Sequence, residues 1–214
     1  MVSPDARHLH KPAGPEADQA SLAGLSALSD RAPLPHAVAW RAVAMCAAAT
    51  ARMLWKRVIH LPAGHVGTRI RFSDGTTAPV YRETVSDRGP AQAPCALVVE
   101  FRLRAVRGRG HSLFRWESLL NTPLFVGFPG FVSKLWLAHD ERGRYRGIYE
   151  WDGSFRADYY ARALWRVLAL VSVPGSIHYL VLPGLHRNEL VTGSRELGRT
   201  TADEASWWLP VGVS

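Results

Sequence analysis

Lysine is scarce in this chain: of the 26 lysine and arginine residues in 214, only Lys11, Lys56 and Lys134 are lysines. The formal charge of +8 is therefore an arginine surplus. A guanidinium fork suits carboxylates and phosphates, so the balance permits anionic ligands, nucleic acid or an acidic membrane surface and chooses none of them. Cysteine is nearly absent as well. Cys46 sits in an Ala-rich run and Cys95 at the end of a Pro-rich loop, without C-x-x-C spacing, which argues against a structural disulfide, a zinc site or a redox pair. A reduced, cytoplasmic protein is expected. The first thirty residues hold Pro, His, Asp and Glu where the apolar segment of a secretory signal would sit, so secretion is not indicated. No GxGxxG, P-loop or G-x-S-x-G occurs, and the nine histidines include no H-x-x-x-H. Nucleotide cofactors, a serine hydrolase of standard type and a metal centre are thus without support, and no cofactor is expected.

What is present suits one main core: 47% of residues are hydrophobic and 21% charged. Residues 1–35 have no sustained apolar period and are expected to form a disordered tail. Residues 36–59 lack Pro and Gly and are rich in Ala, Met, Leu and Trp, which predicts a helix. Its uninterrupted apolar part, 42–51, is bracketed by Arg41 and Arg52 and is shorter than the roughly 20 residues a membrane span needs. Arg52, Lys56 and Arg57 near Trp55 would instead suit contact with a membrane surface. Residues 66–72 and 76–84 read as a hairpin around Ser73-Asp74-Gly75, because a tight turn needs residues that accept positive φ. Residues 86–94 read as a linker. Helix and hairpin together form an expected extension, 36–94, ahead of a main domain at 95–190 and a C-terminal tail at 191–214.

In the main domain the pattern sharpens. Residues 96–106 alternate apolar and mixed positions with the period of a strand. Arg107-Gly108-Arg109-Gly110 breaks it, and 111–120 suits a short helix. Residues 131–138 and 144–151 read as strands joined by a polar loop, 155–173 as a long helix, and 176–182 as a last strand. The order is β-α-β-β-α-β. The expected fold class is therefore α+β, a ferredoxin-like unit whose sheet carries helices on one face. A bare second face bearing Trp and Tyr would need cover, so pairing with a second copy into a dimeric α/β barrel is expected, making the protein a homodimer.

The run Pro129-Gly130-Phe131-Val132-Ser133-Lys134-Leu135-Trp136, followed by Gly147-Ile148-Tyr149 and Ala157-Asp158-Tyr159-Tyr160, resembles the mono-oxygenases of the dimeric α/β-barrel superfamily. In that group a PGF-x-x-K-x-W strand leads to a G-G-I-Y strand and an A-x-x-Y helix. Here Arg146 stands at the first glycine of the second motif. The superfamily includes cofactor-independent oxygenases of aromatic polyketides, haem-degrading enzymes and muconolactone isomerases. The resemblance implies a small-molecule enzyme, most concretely a cofactor-independent mono-oxygenase acting on an aromatic or polyketide-like substrate. A polyketide cyclase or isomerase on the same fold and a non-catalytic ligand-binding or membrane-surface dimer are the alternatives. Nucleic acid ranks last as a partner, because no recognised module accompanies the arginines.

Candidate chemistry sits on strand faces. Glu100 and Arg102 could supply a base and an anion clamp, or form a solvated ion pair. Lys134 and Trp136 share one side of a strand, where a lysine beside an aromatic wall could hold an enolate. His178, within the last strand, could move a proton near neutral pH, although a core histidine is more often just hydrogen-bonded. His111 could reach a pocket mouth or simply begin a helix. Trp116, Asn121, Trp136, Tyr149, Tyr160 and Trp165 could line a cavity for a flat substrate, with core packing as the ordinary alternative.

Overall fold

A computed structural model describes residues 31–104, 124–192 and 206–214. The elements in chain order are α1 (His36–Trp55), β1 (Ile59–His60), β2 (Arg69–Phe72), β3 (Thr77–Ser86), β4 (Pro94–Arg102), β5 (Phe131–Leu137), β6 (Arg144–Asp152), α2 (Ser154–Val171), β7 (His178–Pro183), α3 (Arg187–Thr192) and β8 (Pro210–Val213). The class is α+β. All strand pairs are antiparallel, in the order β7-β4-β6-β5-β3-β2-β8, with β1 beside β3. The four strands expected of the main domain are adjacent, as β7-β4-β6-β5. The short helix expected at 111–120 lies outside the described residues.

Both faces of this sheet are buried. Alternation along β4 sends Cys95, Leu97 and Val99 into one core and Ala96 and Val98 into another. The first core lies under α1 and α2, which supply Ala39, Ala42, Cys46, Ala157, Tyr160 and Leu164. The second joins Ala96, Val98, Ile148 and Leu182 to Ile70 and Phe72 of β2 and to Leu190 and Val191 of α3. Strands far apart in the sheet order share that core, so the sheet curls over it. Ala96, Val98 and Ile148 are 0% exposed. The face expected to await a second copy is therefore covered by the chain itself, and its burial supplies no reason to dimerise.

Three further expectations change. Residues 36–94 are no separate extension, because β3 pairs with β5 along Val80–Val85 and is part of the main sheet. The C-terminal residues are no tail: β8 pairs with β2, Leu209 is buried, and Trp207 and Trp208 pack on the second core. The N-terminal helix stops at Trp55. Arg57 takes φ +56, its N–H bonds the Leu54 carbonyl, and the Val58 N–H bonds the Met53 carbonyl, a Schellman closure with arginine in the position glycine usually holds. By length and composition α1 could cross a membrane. One side of it is nevertheless committed to the protein, since Ala39, Ala42, Val43, Cys46, Thr50 and Met53 are buried.

Polar residues on the second face have no solvent to meet, and they meet one another. Arg146 donates to Asp140 (2.9 Å) and Asp74 (3.2 Å), and its guanidinium lies 2.7 Å from Glu100. Arg144 reaches the same three carboxylates. Asp74 comes from the β2–β3 turn and Asp140 from the β5–β6 turn, so the cluster fastens two hairpins to β6. Burial raises the Asp74 and Asp140 carboxyls, but their hydrogen bonds and the two arginines outweigh it and hold both below the usual value. Burial wins at Glu100, whose carboxyl is pushed up despite Arg146 and Arg144.

Removing one arginine of this buried cluster leaves three carboxylates to share the other, Arg144. Arg146→Met should therefore lower the unfolding free energy in urea by about 3–5 kcal/mol. A loss within experimental error would mean that the cluster contributes nothing to the fold.

Candidate functional site

Between the first face of the sheet and α2 lies a cavity of about 210 Å³. Phe101, Lys134, Trp136 and Tyr149 form its strand side, α2 contributes Tyr160, Leu164 and Leu168, and Phe125 closes one wall. Apart from the lysine the lining is aromatic or aliphatic.

Two β-bulges aim the charged groups here. In β5 the register against β6 shifts between Phe131 and Ser133, so Phe131 and Lys134 face the same core although they are three residues apart. In β3 the register shifts between Val80 and Arg82. Val80 accordingly enters the second core while Arg82 and Thr84 stand opposite Trp136 and Lys134. The Trp136 indole N–H donates to Thr84 Oγ1 (3.0 Å), and the Arg82 guanidinium lies 5.0 Å from the Trp136 ring centre. One glycine is needed for shape. A Cβ on Gly147 would come within 2.7 Å of the Tyr149 ring, which lies back across it.

Lys134 Nζ sits 3.1 Å from the centre of the Trp136 ring and 4.6 Å from the rings of Phe125 and Tyr149. Aromatic faces attract a cation, yet they replace little of the hydration that an ammonium loses. Among the described residues no carboxylate forms an ion pair with it. Burial, with the Arg82 charge acting in the same direction, pushes the lysine well below its ordinary value and favours the neutral amine. Beside it the Tyr160 hydroxyl donates to that of Tyr149 (3.2 Å). Burial raises both tyrosines, so they remain phenols and potential donors.

The remaining sequence candidates do not gather at this point. Glu100 lies on the opposite face of β4 in the ion cluster, because one residue along a strand changes sides. Arg102 is exposed at the end of β4, where its backbone N–H donates to Ser176. His178 is exposed on β7, its ring 6.0 Å from that of Trp207. It lines a separate cavity of about 330 Å³ with Trp165, Tyr179 and Arg31. The expected joint action of Glu100, Arg102, Lys134 and His178 is thus not supported: only Lys134 reaches the aromatic cavity, with Trp136, Tyr149 and Tyr160. His111, Trp116 and Asn121 lie outside the described residues. Arg82, Phe101 and Phe125 were not singled out in the sequence. The alternation of β4 could have flagged Phe101, but nothing local announces the bulge that turns Arg82.

No family model matches this chain, and no curated protein matches it. Among solved structures it is similar to an uncharacterized ferredoxin-fold protein from Listeria monocytogenes, described as related to antibiotic biosynthesis monooxygenases. The identity is 14%, the match covers 62% of this chain and 85% of the other, and the TM-score is 0.32. A likeness of that size says nothing of activity.

A lysine whose folded-state pKa is depressed binds fewer protons folded than unfolded, so its cost is greatest in acid and fades as pH rises toward 10.5. Lys134→Met should raise the melting temperature, more at pH 6 than at pH 10, with about 2–4 °C for each kcal/mol recovered in a domain of this size. Calorimetry at the two pH values reads the difference. A pH-independent shift would contradict the unpaired amine.

Proposed function

We propose that this chain is a small-molecule enzyme that takes a flat aromatic or polyketide-like substrate into the cavity above Lys134, removes an acidic proton from it and holds the resulting anion. The observation that carries this reading is the lysine amine facing an aromatic cavity without a carboxylate partner among the described residues. A neutral amine can accept a proton from an enol, a phenol or an activated C–H. The ammonium and the enolate it creates then form an ion pair in a site of low dielectric, where such a pair is strongest. Arg82 adds positive potential next to the same wall.

In its most concrete form the reaction is a cofactor-independent mono-oxygenation. The substrate carbanion itself reduces oxygen, so that a methylene and O₂ give a carbonyl and water without any other reductant. An isomerase or cyclase would stop at the proton transfer. Anthrone, a flat tricyclic ketone with an enolisable methylene, separates these outcomes. Oxygen uptake above the uncatalysed background supports the mono-oxygenase, whereas deuterium exchange at the methylene without uptake supports the isomerase type. In either case Lys134→Met should lower kcat/KM by about 100- to 10,000-fold, the usual worth of a positioned acid or base. The enzyme reading for this substrate class fails if wild type shows neither signal.

A second reading, compatible with the first, rests on α1. Its solvent side exposes Trp40, Met45 and Trp55, the last at 89%, and carries Arg41 and Arg52. Lys56 and Arg57 follow, and residues 36–57 contain no Asp or Glu. Apolar side chains beside cations that pair with no acid among the described residues fit an anionic bilayer, on which the helix would lie in the plane of the headgroups. Flotation with phosphatidylcholine vesicles should show binding only when phosphatidylglycerol is included. Arg52→Ser with Lys56→Ser should weaken it by about 1 kcal/mol per charge removed. Equal behaviour with both kinds of vesicle would dismiss this contact.

A further inference from the structure

We propose that Lys134 is also a nucleophile, forming an imine with aromatic aldehydes or ketones that enter the cavity. The inference rests on the reading of that cavity as a substrate site and sharpens the class of substrate it takes. An amine attacks a carbonyl only while its lone pair is free, and a lysine held against a carboxylate is an ammonium with none. Lys134 is held otherwise, among the rings of Trp136, Phe125 and Tyr149 with Arg82 beyond Trp136. Desolvation in an apolar pocket, or a second cation nearby, is the usual way a lysine is made nucleophilic, and both occur together here. A depression of one pKa unit already raises the neutral fraction about tenfold near pH 7.

The cavity also suits the rest of the reaction. The amine nitrogen bonds to the carbonyl carbon, the carbonyl π bond breaks, and its oxygen takes a proton to give a carbinolamine. Loss of that oxygen as water, with the second amine proton, leaves the C=N bond. One carbonyl and one amine thus give one imine and one water, with no oxidant or reductant. The proton for the departing oxygen has a source at hand. The Tyr149 hydroxyl accepts from Tyr160 (3.2 Å), which leaves its own proton to donate, and its ring lies 4.6 Å from Nζ. The aromatic walls would hold a flat ring system beside the nitrogen. Once formed, a protonated imine acidifies the adjacent C–H, the same result the amine base achieves, now for substrates with a carbonyl.

The lysine content makes a clean test feasible, because Lys11 and Lys56 are the only other lysines. The full chain is incubated at neutral pH with 2-naphthaldehyde, reduced with sodium cyanoborohydride, digested and mapped by mass spectrometry. The expected result is one naphthylmethyl group on Lys134, added at least about tenfold faster than on Lys56. It should be lost in Lys134→Met and Lys134→Arg and slowed by excess 2-naphthol. Labelling of Lys134 no faster than of Lys56 overturns the inference. Quenching of tryptophan fluorescence by 2-naphthol separates the two possible failures. If naphthol binds and no imine forms, the nucleophile is wrong and the cavity reading stands. If naphthol does not bind either, both fall.

Discussion

Burial of the sheet on both faces is the constraint from which the rest of this structure follows. A strand with a wet side can place its charged residues there at little cost, but here every side chain of β4 between Cys95 and Glu100 points into one core or the other. Charged groups on these strands must then find partners inside the protein or stand exposed to a cavity. The two faces resolve the problem differently. On the second face Glu100, Arg144 and Arg146 join Asp74 and Asp140 in a closed cluster. On the first, Lys134 lies among π faces and borders the cavity, with no carboxylate paired to it among the described residues.

That contrast separates architecture from chemistry. Buried ion clusters often contribute little net stability, yet they fix which turns sit against which strand, as the two aspartates do here. A buried amine with no carboxylate partner among the described residues does the reverse, because its burial disfavours the charged form and costs stability. The two bulges belong to the same division, because each inserts one residue on neighbouring strands and so delivers Lys134 and Arg82 to one wall. Without the β3 bulge Arg82 would share the face of Val80.

The secondary structure was largely legible because it rests on local pattern. Alternation around Leu97, the Asp74-Gly75 turn and the helical spacing of Tyr160, Leu164 and Leu168 each carry their own signal. The side to which a polar residue is committed was harder to see. Glu100 and His178 look polar in the alternation, but the partners of Glu100 come from positions 144 and 146, which only the tertiary fold brings beside it. Covering of the second face was invisible for the same reason, since β8 and α3 are short and weakly patterned. Lys134 emerged because it sits in a recognisable run with Trp136, whereas Arg82 depends on a register shift that leaves no mark in sequence.

The pairing of β2 with β8 has a consequence for how the molecule is made. Ile70 lies opposite Val213 in that ladder, so one edge of the curled sheet waits for a partner 143 positions further along the chain (213 − 70). Until then the backbone groups of β2 that face away from β3 are open to any strand that comes near. During biosynthesis the nascent chain must keep that edge from pairing wrongly, and contacts so distant in sequence form slowly. Closure of this edge is therefore expected among the last steps of folding, after the local β2–β3 hairpin has formed.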